Sequence, residues 1–250
     1  MEEEIIRIKE LDVDIIHPRT KMMNVSDHGG SKIVMIGKPG TGKSTIMRSV
    51  LYEKSHIIPV GMVMSGTEDS NHFFGRIFPD IYIHSEYSED AFASFIERQK
   101  LAKEHLENPW AVVILDDVTD DVSQLKSKLM LGSFKNGRHF KMLKILSLQY
   151  ALDVLPPIRT SIDGTFILRE PIAKNRKILY ENYASIIPTF DLFNQIMDEI
   201  TSEYTALYIH NNTQTNKWQE CVFYYNAKEV PENFEFGCWE IYRYNEDRHK

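Results

Sequence analysis

One stretch near the amino terminus constrains the fold more than any other. An apolar run over residues 33–36 breaks into a glycine-rich turn that ends in Gly-Lys-Ser-Thr. From Gly37 to Ser44 the turn satisfies G-x-x-x-x-G-K-[ST], with a β-branched strand before it and a helix-compatible run after it. This arrangement is typical of a phosphate-binding loop, because its glycines let backbone N–H groups and a helix amino terminus face an anion. The alternative is a glycine-rich turn with an incidental lysine.

The residue types in this loop predict ATP and Mg²⁺ as cofactors. Lys43 is expected to reach the β- and γ-phosphates of the nucleotide. The Ser44 hydroxyl is expected to complete the shell of a Mg²⁺ that keeps most of its own water. The predicted nucleotide-binding residues are Gly37, Lys38, Pro39, Gly40, Thr41, Gly42, Lys43, Ser44 and Thr45.

A second polar landmark follows the apolar run 110–115, which ends in Asp116 and Asp117. Four or more apolar residues followed by an acid form the Walker B pattern. We expect Asp116 to hold the Mg²⁺ through water and Asp117 to polarise the water that attacks the γ-phosphate. Buried strands often end in Asp, so Asp117 as a helix N-cap or loop acid is the alternative. The phosphate loop upstream favours the catalytic interpretation.

Gln149 is the third candidate, because it directly follows the buried strand predicted over residues 142–148. An amide at the carboxyl end of a strand beside the Walker B strand can sense the γ-phosphate or position water. The alternative is an amide that only closes a loop.

Strands alternate with helices through the middle of the chain, which predicts an α/β fold with a mainly parallel central sheet and helices on both faces. Right-handed crossovers then bring the loop, Glu68, Asp116, Asp117 and Gln149 to one edge.

The 250 residues are enough for one domain with appendages. We predict an N-terminal strand and linker over 1–30, a P-loop domain over 31–226 and a C-terminal tail over 227–250 that is loosely ordered. Within the domain, residues 122–131 read as a helix and residues 132–139 as a loop.

Charge and composition limit the class of protein. The net charge of −7 argues against a protein that coats nucleic acid over its whole surface. No run of about 18 apolar residues is present to span a bilayer, and the acidic start lacks the order of a signal peptide. Cys221 and Cys238 fit neither a disulfide framework nor a zinc site, which indicates a reducing compartment.

The basic residues are distributed unevenly. No Asp or Glu occurs between Val122 and Leu152, although a solvated helix face explains any single lysine there. The bases inside this stretch are Lys126, Lys128, Lys135, Arg138, Lys141 and Lys144.

Five separated blocks resemble the genome-packaging ATPases of nucleocytoplasmic large DNA viruses, in the FtsK/HerA branch of P-loop motors. The blocks are Gly-Lys-Pro-Gly-Thr-Gly-Lys-Ser, Val-Val-Ile-Leu-Asp-Asp, Asn-Gly-Arg-His, Leu-Ser-Leu-Gln and Ile-Arg-Thr-Ser-Ile-Asp. The resemblance covers roughly residues 30–226. It implies a RecA-like domain that assembles into a ring and translocates double-stranded DNA into a capsid, in the host cytoplasm (virus factory) or the virion, with capsid or portal-side proteins as partners.

In such rings the nucleotide lies between subunits, and an arginine from the neighbour completes the site. Arg138 matches the position of that arginine, Gln149 matches the sensor glutamine, and Arg159 is a second candidate for the arginine role. The pair Asp116-Asp117 departs from the Asp-Glu of many P-loop ATPases. The resemblance also gives the acid-free stretch a use, since its lysines would face the DNA channel or the adjacent subunit and hold phosphates without reading sequence.

Two other functions fit the phosphate loop. A small-molecule kinase shares the loop but usually adds an arginine-rich lid, whereas the arginines here are scattered. A nucleotide-gated assembly factor would bind ATP as a ring-forming switch and form long-lived oligomers.

Overall fold

The computed structural model describes residues 8–19, 29–118 and 126–248, with the backbone alone at positions 136 and 138. The strands in chain order are β1 (Lys9–Glu10), β2 (Lys32–Ile36), β3 (Gly61–Ser65), β4 (Ile83–His84), β5 (Ala111–Asp116), β6 (Met142–Leu148), β7 (Gly164–Ile167), β8 (Thr205–His210) and β9 (Val222–Asn226). The helices are α1 (Lys43–Lys54), α2 (Glu68–Asn71), α3 (Glu89–His105), α4 (Lys128–Asn136), α5 (Pro156–Arg159), α6 (Ala173–Leu179), α7 (Phe190–Ile200) and α8 (Trp239–Arg248).

The described strands form one sheet in the order β1-β9-β8-β7-β2-β6-β5-β3-β4. Only the β7–β8 and β8–β9 pairings are antiparallel, so the mainly parallel sheet predicted from the sequence is confirmed. The strand that leads into the phosphate loop, β2, lies between β6 and β7. Its five residues are all buried, as expected for a strand that is covered on both faces.

Helices cover both faces of this sheet. On β2, Val34 and Ile36 belong to the core cluster that contains apolar side chains of α3, α4, α6 and α7. Ile33 and Met35 belong to the opposite cluster, which contains the buried face of α1. This alternation follows from the two-residue period of a strand.

Strand register brings the polar landmarks together. Ile36, the last residue before the phosphate loop, pairs with Leu148 at the end of β6. Asp116 at the end of β5 pairs with Ser147 of β6 on one side and with Ser65 of β3 on the other. The loop, the aspartates and Gln149 therefore share one edge of the sheet, as the alternation of strands and helices predicted.

The predicted loop over 132–139 is wrong, because α4 continues to residue 136. Ser127 caps the helix by accepting a hydrogen bond from the Met130 backbone N–H over 3.1 Å. Met130 and Phe134, one turn apart, are both buried in the core, and Gly132 lies where an added Cβ meets no atom within 4 Å. Burial of this apolar pair outweighs the low helix propensity of glycine. A turn of 3₁₀-helix, Gly137–Phe140, follows; part of the helix predicted over 122–131 lies outside the described residues.

The chain after residue 227 differs from the loosely ordered tail that the sequence suggested. Phe234 and Phe236 are buried in the same core cluster as α1, and Phe236 is 0% exposed. Backbone hydrogen bonds from Phe236 to Ile77 and from Cys238 to Pro59, each 2.7 Å long, attach the segment to the fold. The aromatic side chains gain enough from burial to order a segment that is otherwise polar. At the other end, β1 is the expected edge strand and pairs with β9.

Two of the five lysines that the structure describes in the acid-free stretch do not face solvent. Lys141 is 9% exposed and its Nζ lies 4.9 Å from the ring centroid of Trp110. Lys144 is 3% exposed, on the buried strand β6. The expectation that these two lysines line a DNA channel or a subunit contact is therefore wrong, since Lys144 lies on a buried strand and Lys141 packs against the Trp110 ring. Lys126, Lys128 and Lys135 are exposed.

Candidate active site

The phosphate loop is closed by its own side chains and by β6. Thr41 donates hydrogen bonds to the Lys38 carbonyl from its backbone N–H (3.2 Å) and its hydroxyl (2.7 Å). Gly42 precedes α1 with φ of 98°, a left-handed conformation that glycine adopts without steric cost. A Cβ there would lie 2.8 Å from Cδ1 of Tyr204, so the aromatic ring also demands glycine.

Both ends of the loop donate hydrogen bonds to one carbonyl group. The Leu148 oxygen accepts a hydrogen bond from the Gly37 backbone N–H and another from Lys43 Nζ, each 3.1 Å long. Burial lowers the pKa of Lys43, while the nearby carboxylates of Asp116 and Asp117 counteract that effect. The amino group of Lys43 is thus held at the carboxyl edge, beside the two aspartates.

Asp116 lies between hydroxyl groups of the neighbouring strands. Its Oδ2 accepts a hydrogen bond from Ser65 Oγ over 3.2 Å, and Ser147 is its register partner on β6. Burial raises the pKa of the Asp116 carboxyl, against the opposing effects of Ser147, Lys43 and Ser65. A partly buried carboxylate among donors is ready to accept a cation, because the cation compensates for lost hydration.

Asp117 and Gln149 are in direct contact. Gln149 Nε2 donates a hydrogen bond to Asp117 Oδ2 over 2.6 Å. Asp117 itself has φ of 52°, in the left-handed region that Asp and Asn enter more readily than most residues. Its backbone N–H donates to the Ser147 carbonyl over 3.3 Å, which extends the parallel pairing of β5 with β6 by one residue.

Lys38, inside the loop, forms an ion pair outside it. Its Nζ lies 2.8 Å from Oε1 of Glu170, which follows β7. Glu170 also accepts hydrogen bonds from the Ile172 backbone N–H (2.9 Å) and from Asn175 Nδ2 (3.0 Å). This set of contacts joins the tip of the phosphate loop to the start of α6.

The two candidate arginines lie in different places. Arg138 belongs to the turn Gly137–Phe140, before the amino end of β6, whereas Gln149 follows the carboxyl end of the same strand. Arg159 lies on α5, with Nη2 donating to the Val154 carbonyl over 2.9 Å and Nη1 donating to Asn182 Oδ1. Its guanidinium carbon also lies 5.6 Å from the ring centroid of Tyr183. The Arg159 guanidinium is therefore engaged within its own chain.

A family profile described as poxvirus A32 protein matches residues 24–230 of the chain. The chain belongs to this family. Membership confirms the resemblance to packaging ATPases of large DNA viruses that the five sequence blocks indicated. Two similar proteins come from Invertebrate iridescent virus 3 and from Frog virus 3. Protein 088R of Invertebrate iridescent virus 3 is 51% identical over 246 residues, 97% of this chain and 94% of the relative. Protein 015R of Frog virus 3 (isolate Goorha) is 36% identical over 226 residues, 90% of this chain and 70% of the relative.

Solved structures share the fold of this poxvirus A32 family member. The genome packaging NTPase B204 from Sulfolobus turreted icosahedral virus 2, in complex with sulfate, superposes with a TM-score of 0.58 at 17% identity, covering 84% of this chain and 100% of B204. The pCW3 conjugation coupling protein TcpA gives a TM-score of 0.58 at 12% identity, covering 99% of this chain and 75% of TcpA. These similarities support the P-loop architecture. Within the described residues no helix has the length and apolar character needed to cross a membrane.

The residues proposed for Mg²⁺ fit that ion by their chemistry. A serine hydroxyl at the start of α1 (Ser44) and the carboxylate of Asp116 offer the hard oxygen ligands that Mg²⁺ prefers. In the part of the chain that the structure describes, no three His, Cys, Asp or Glu side chains gather into a metal site. A cation here would take its remaining ligands from nucleotide phosphates and water, as Mg²⁺ commonly does.

Sequence reasoning missed several residues of this edge. Ser65 and Ser147 flank Asp116, and their signal was available, since each is a polar residue near the end of a largely apolar strand. Tyr204 and Glu170 contact the loop from distant segments, and no local pattern links them to it. Tyr204 is 59% exposed beside Gly42, with φ of 63°.

Proposed function

We propose that this protein is an ATP-hydrolysing motor that translocates double-stranded DNA into a viral capsid as a homo-oligomeric ring. The observation that carries the proposal is the convergence of Lys43, Asp116, Asp117 and Gln149 at one sheet edge, at the mouth of the phosphate loop. Family membership and the fold shared with the packaging NTPase B204 support the viral setting.

Each residue has a role in this scheme. The loop N–H groups and Lys43 bind the phosphates, and Lys43 stabilises charge that develops on the γ-phosphate. Ser44 and Asp116 would hold Mg²⁺, which would supply charge neutralisation at the nucleotide phosphates. Asp117 orients the attacking water and accepts its proton, while Gln149 fixes the Asp117 carboxylate through the bond from Nε2.

Arg138 acts on the site of the neighbouring subunit. The seven residues of β6 separate its turn from Gln149, which corresponds to roughly 20 Å at about 3.3 Å per residue, far beyond the reach of a side chain. Arg138 is thus too distant to serve its own Lys43. The engagement of Arg159 with Val154 and Asn182 favours Arg138 of the two arginines.

Exposed side chains beside the site support a shared interface. Tyr150 and Leu152, immediately after Gln149, are 61% and 57% exposed. Apolar side chains of this size next to a polar site suit contact with a second subunit. The contacts with DNA phosphates or with the adjacent subunit are assigned to the three exposed lysines, Lys126, Lys128 and Lys135. Ionic contacts of this kind weaken as the salt concentration rises.

Phosphate release tests the enzymatic part of the proposal. Wild-type protein, Lys43→Ala and Asp117→Asn are assayed with ATP, with and without long duplex DNA. We expect the wild type to hydrolyse ATP faster when DNA is present, and both variants to lose at least about a hundredfold in kcat. Equal low activity in all samples would refute it. Long-lived nucleotide-dependent oligomers without turnover would instead indicate an assembly switch, and phosphate transfer to a nucleoside monophosphate would indicate a kinase.

A further inference from the structure

The turn Gly137–Phe140 is held by buried polar groups that the catalytic scheme leaves without a role. Lys144 is one of them: its Nζ donates a hydrogen bond to the Ser133 carbonyl in the last turns of α4. That carbonyl is among those at the end of a helix that lack a partner within the helix. The same Nζ lies 5.5 Å from the ring centroid of Phe134, so the lysine fixes the end of the helix from the adjacent strand.

Lys144 also fills the space under the turn itself. A Cβ added to Gly137 would lie 1.9 Å from Lys144 Nζ, so glycine is required there for the lysine to approach the backbone. The amino group thereby contacts both α4 and the first residue of the turn. Removal of this group would leave a buried polar carbonyl unsatisfied and a gap beneath Gly137.

Gln99 holds the other end of the turn. It is 0% exposed on α3, and its Nε2 donates to the Phe140 carbonyl over 3.0 Å and to the Pro109 carbonyl over 2.8 Å. One amide group thus ties the last residue of the turn to the segment before β5. The residue that follows, Lys141, has φ of 52°, which the surrounding contacts must maintain.

We propose that Lys144 and Gln99 are positioning residues that hold the Gly137–Phe140 turn, and with it Arg138, in place for the active site of the neighbouring subunit. The inference rests on the proposed function, because it assumes that Arg138 acts between subunits. Its physical basis is that a group which stabilises transition-state charge must be fixed to within a fraction of an ångström. The two anchors at opposite ends of one short turn provide that fixation.

The test is subunit complementation. Lys144→Met keeps an intact phosphate loop but has a loosened turn, whereas Lys43→Ala has a defective loop and an intact turn. In a ring mixed at equal amounts, about a quarter of the sites combine the good loop with the good turn. We expect Lys144→Met alone to lose about tenfold or more in kcat with KM for ATP within about twofold, and the mixture to exceed the mean of the two separate variants.

Lys54→Met is the matched control. Lys54 is also buried, 1% exposed, and donates to a backbone carbonyl, that of Pro18 over 3.0 Å, but it lies on α1 away from the turn. We expect this variant to lose thermal stability and keep the wild-type kcat in assembled rings. Gln99→Leu is the second test variant, and it should behave as Lys144→Met does.

The outcomes separate the inference from the proposed function. Arg138→Ala mixed with Lys43→Ala reports whether the arginine acts between subunits at all. If that mixture recovers ATPase activity but mixtures of Lys144→Met or Gln99→Leu with Lys43→Ala do not, the positioning role is wrong and the proposed function stands. If Lys144→Met does not fold, Gln99→Leu decides alone. If Arg138→Ala and Lys43→Ala fail to complement in intact rings, the shared-site scheme fails and the inference fails with it.

Discussion

Gln149 donates a hydrogen bond from Nε2 to Asp117 Oδ2 over 2.6 Å and so joins the ends of two adjacent strands. The backbone of Asp117 is left-handed, with φ of 52°, and its N–H donates to the Ser147 carbonyl of β6. Backbone and amide together leave the carboxylate little freedom. A carboxylate fixed in this way can orient water without reorganisation at the moment of reaction.

The contact predicts that Gln149 affects turnover more than nucleotide binding. In Gln149→Leu the Asp117 carboxylate loses its donor, and we expect kcat to fall by about tenfold to a hundredfold with KM within about twofold. Steady-state phosphate release measures both constants. Gln219→Leu, on the surface turn Trp218–Glu220, is the control and should resemble wild type. A raised KM with unchanged kcat would assign Gln149 to nucleotide binding instead.

Alanine at Gly42 is predicted to lower the free energy of unfolding more than alanine at Gly40 does. Both have positive φ, 98° and 76°, so each alanine should cost about 1–2 kcal/mol of unfolding free energy. Only Gly42→Ala adds a Cβ that meets Tyr204, 2.8 Å away, whereas nothing lies within 4 Å of the added Cβ at Gly40. Urea denaturation should show the larger loss for Gly42→Ala, and Tyr204→Ala in the same chain should recover part of it. Equal losses would mean that the ring moves aside freely.

Lys144 should make stability depend on pH. Burial, with the neighbouring Lys32 ammonium, lowers the pKa of Lys144 from its ordinary 10.5 to about 7, and Asp163 opposes the shift. Between these values the unfolded chain binds the proton more tightly than the folded protein, so stability rises with pH. Relative to Lys144→Met, the unfolding free energy of the wild type should rise by up to about 1.4 kcal/mol per pH unit from pH 7 to 9. Parallel curves for both proteins in urea would contradict this.

The C-terminal segment is predicted to be part of the core. Phe236→Ala removes a fully buried ring and should lower the unfolding free energy by about 3–5 kcal/mol. Tyr244→Ala is the control, because Tyr244 is 57% exposed and its loss should change stability by no more than about 0.5 kcal/mol. A Phe236→Ala variant as stable as wild type would support the loosely ordered tail expected from the sequence.

Local pattern was sufficient to predict the central sheet and the edge that carries the phosphate loop, Asp117 and Gln149. It was sufficient because apolar strands, turn glycines and strand-end acids are local signals. The bond between Asp117 and Gln149 was beyond such reasoning, since it depends on strand register and on one left-handed residue.

Lys144 and Phe236 show why other parts of the prediction from sequence were wrong. The absence of acids from a stretch shows that its charge is positive, but it does not show which of its basic side chains are exposed. The apolar neighbours of Lys144 on β6 were the available signal that it is buried. In the tail, Phe234 and Phe236 looked like isolated aromatics because their packing partners lie in distant segments. Long-range burial of this kind has no local signature.

The most direct test of the central claim is displacement of a third strand from duplex DNA. A long duplex carries a triplex-forming oligonucleotide with a fluorescent label, and release of the oligonucleotide is followed after ATP is added. A translocating motor should release it with a delay that grows with the distance to the DNA end, while Lys43→Ala and Asp117→Asn should leave it bound. Rapid ATP hydrolysis by the wild type with the triplex intact would contradict DNA translocation.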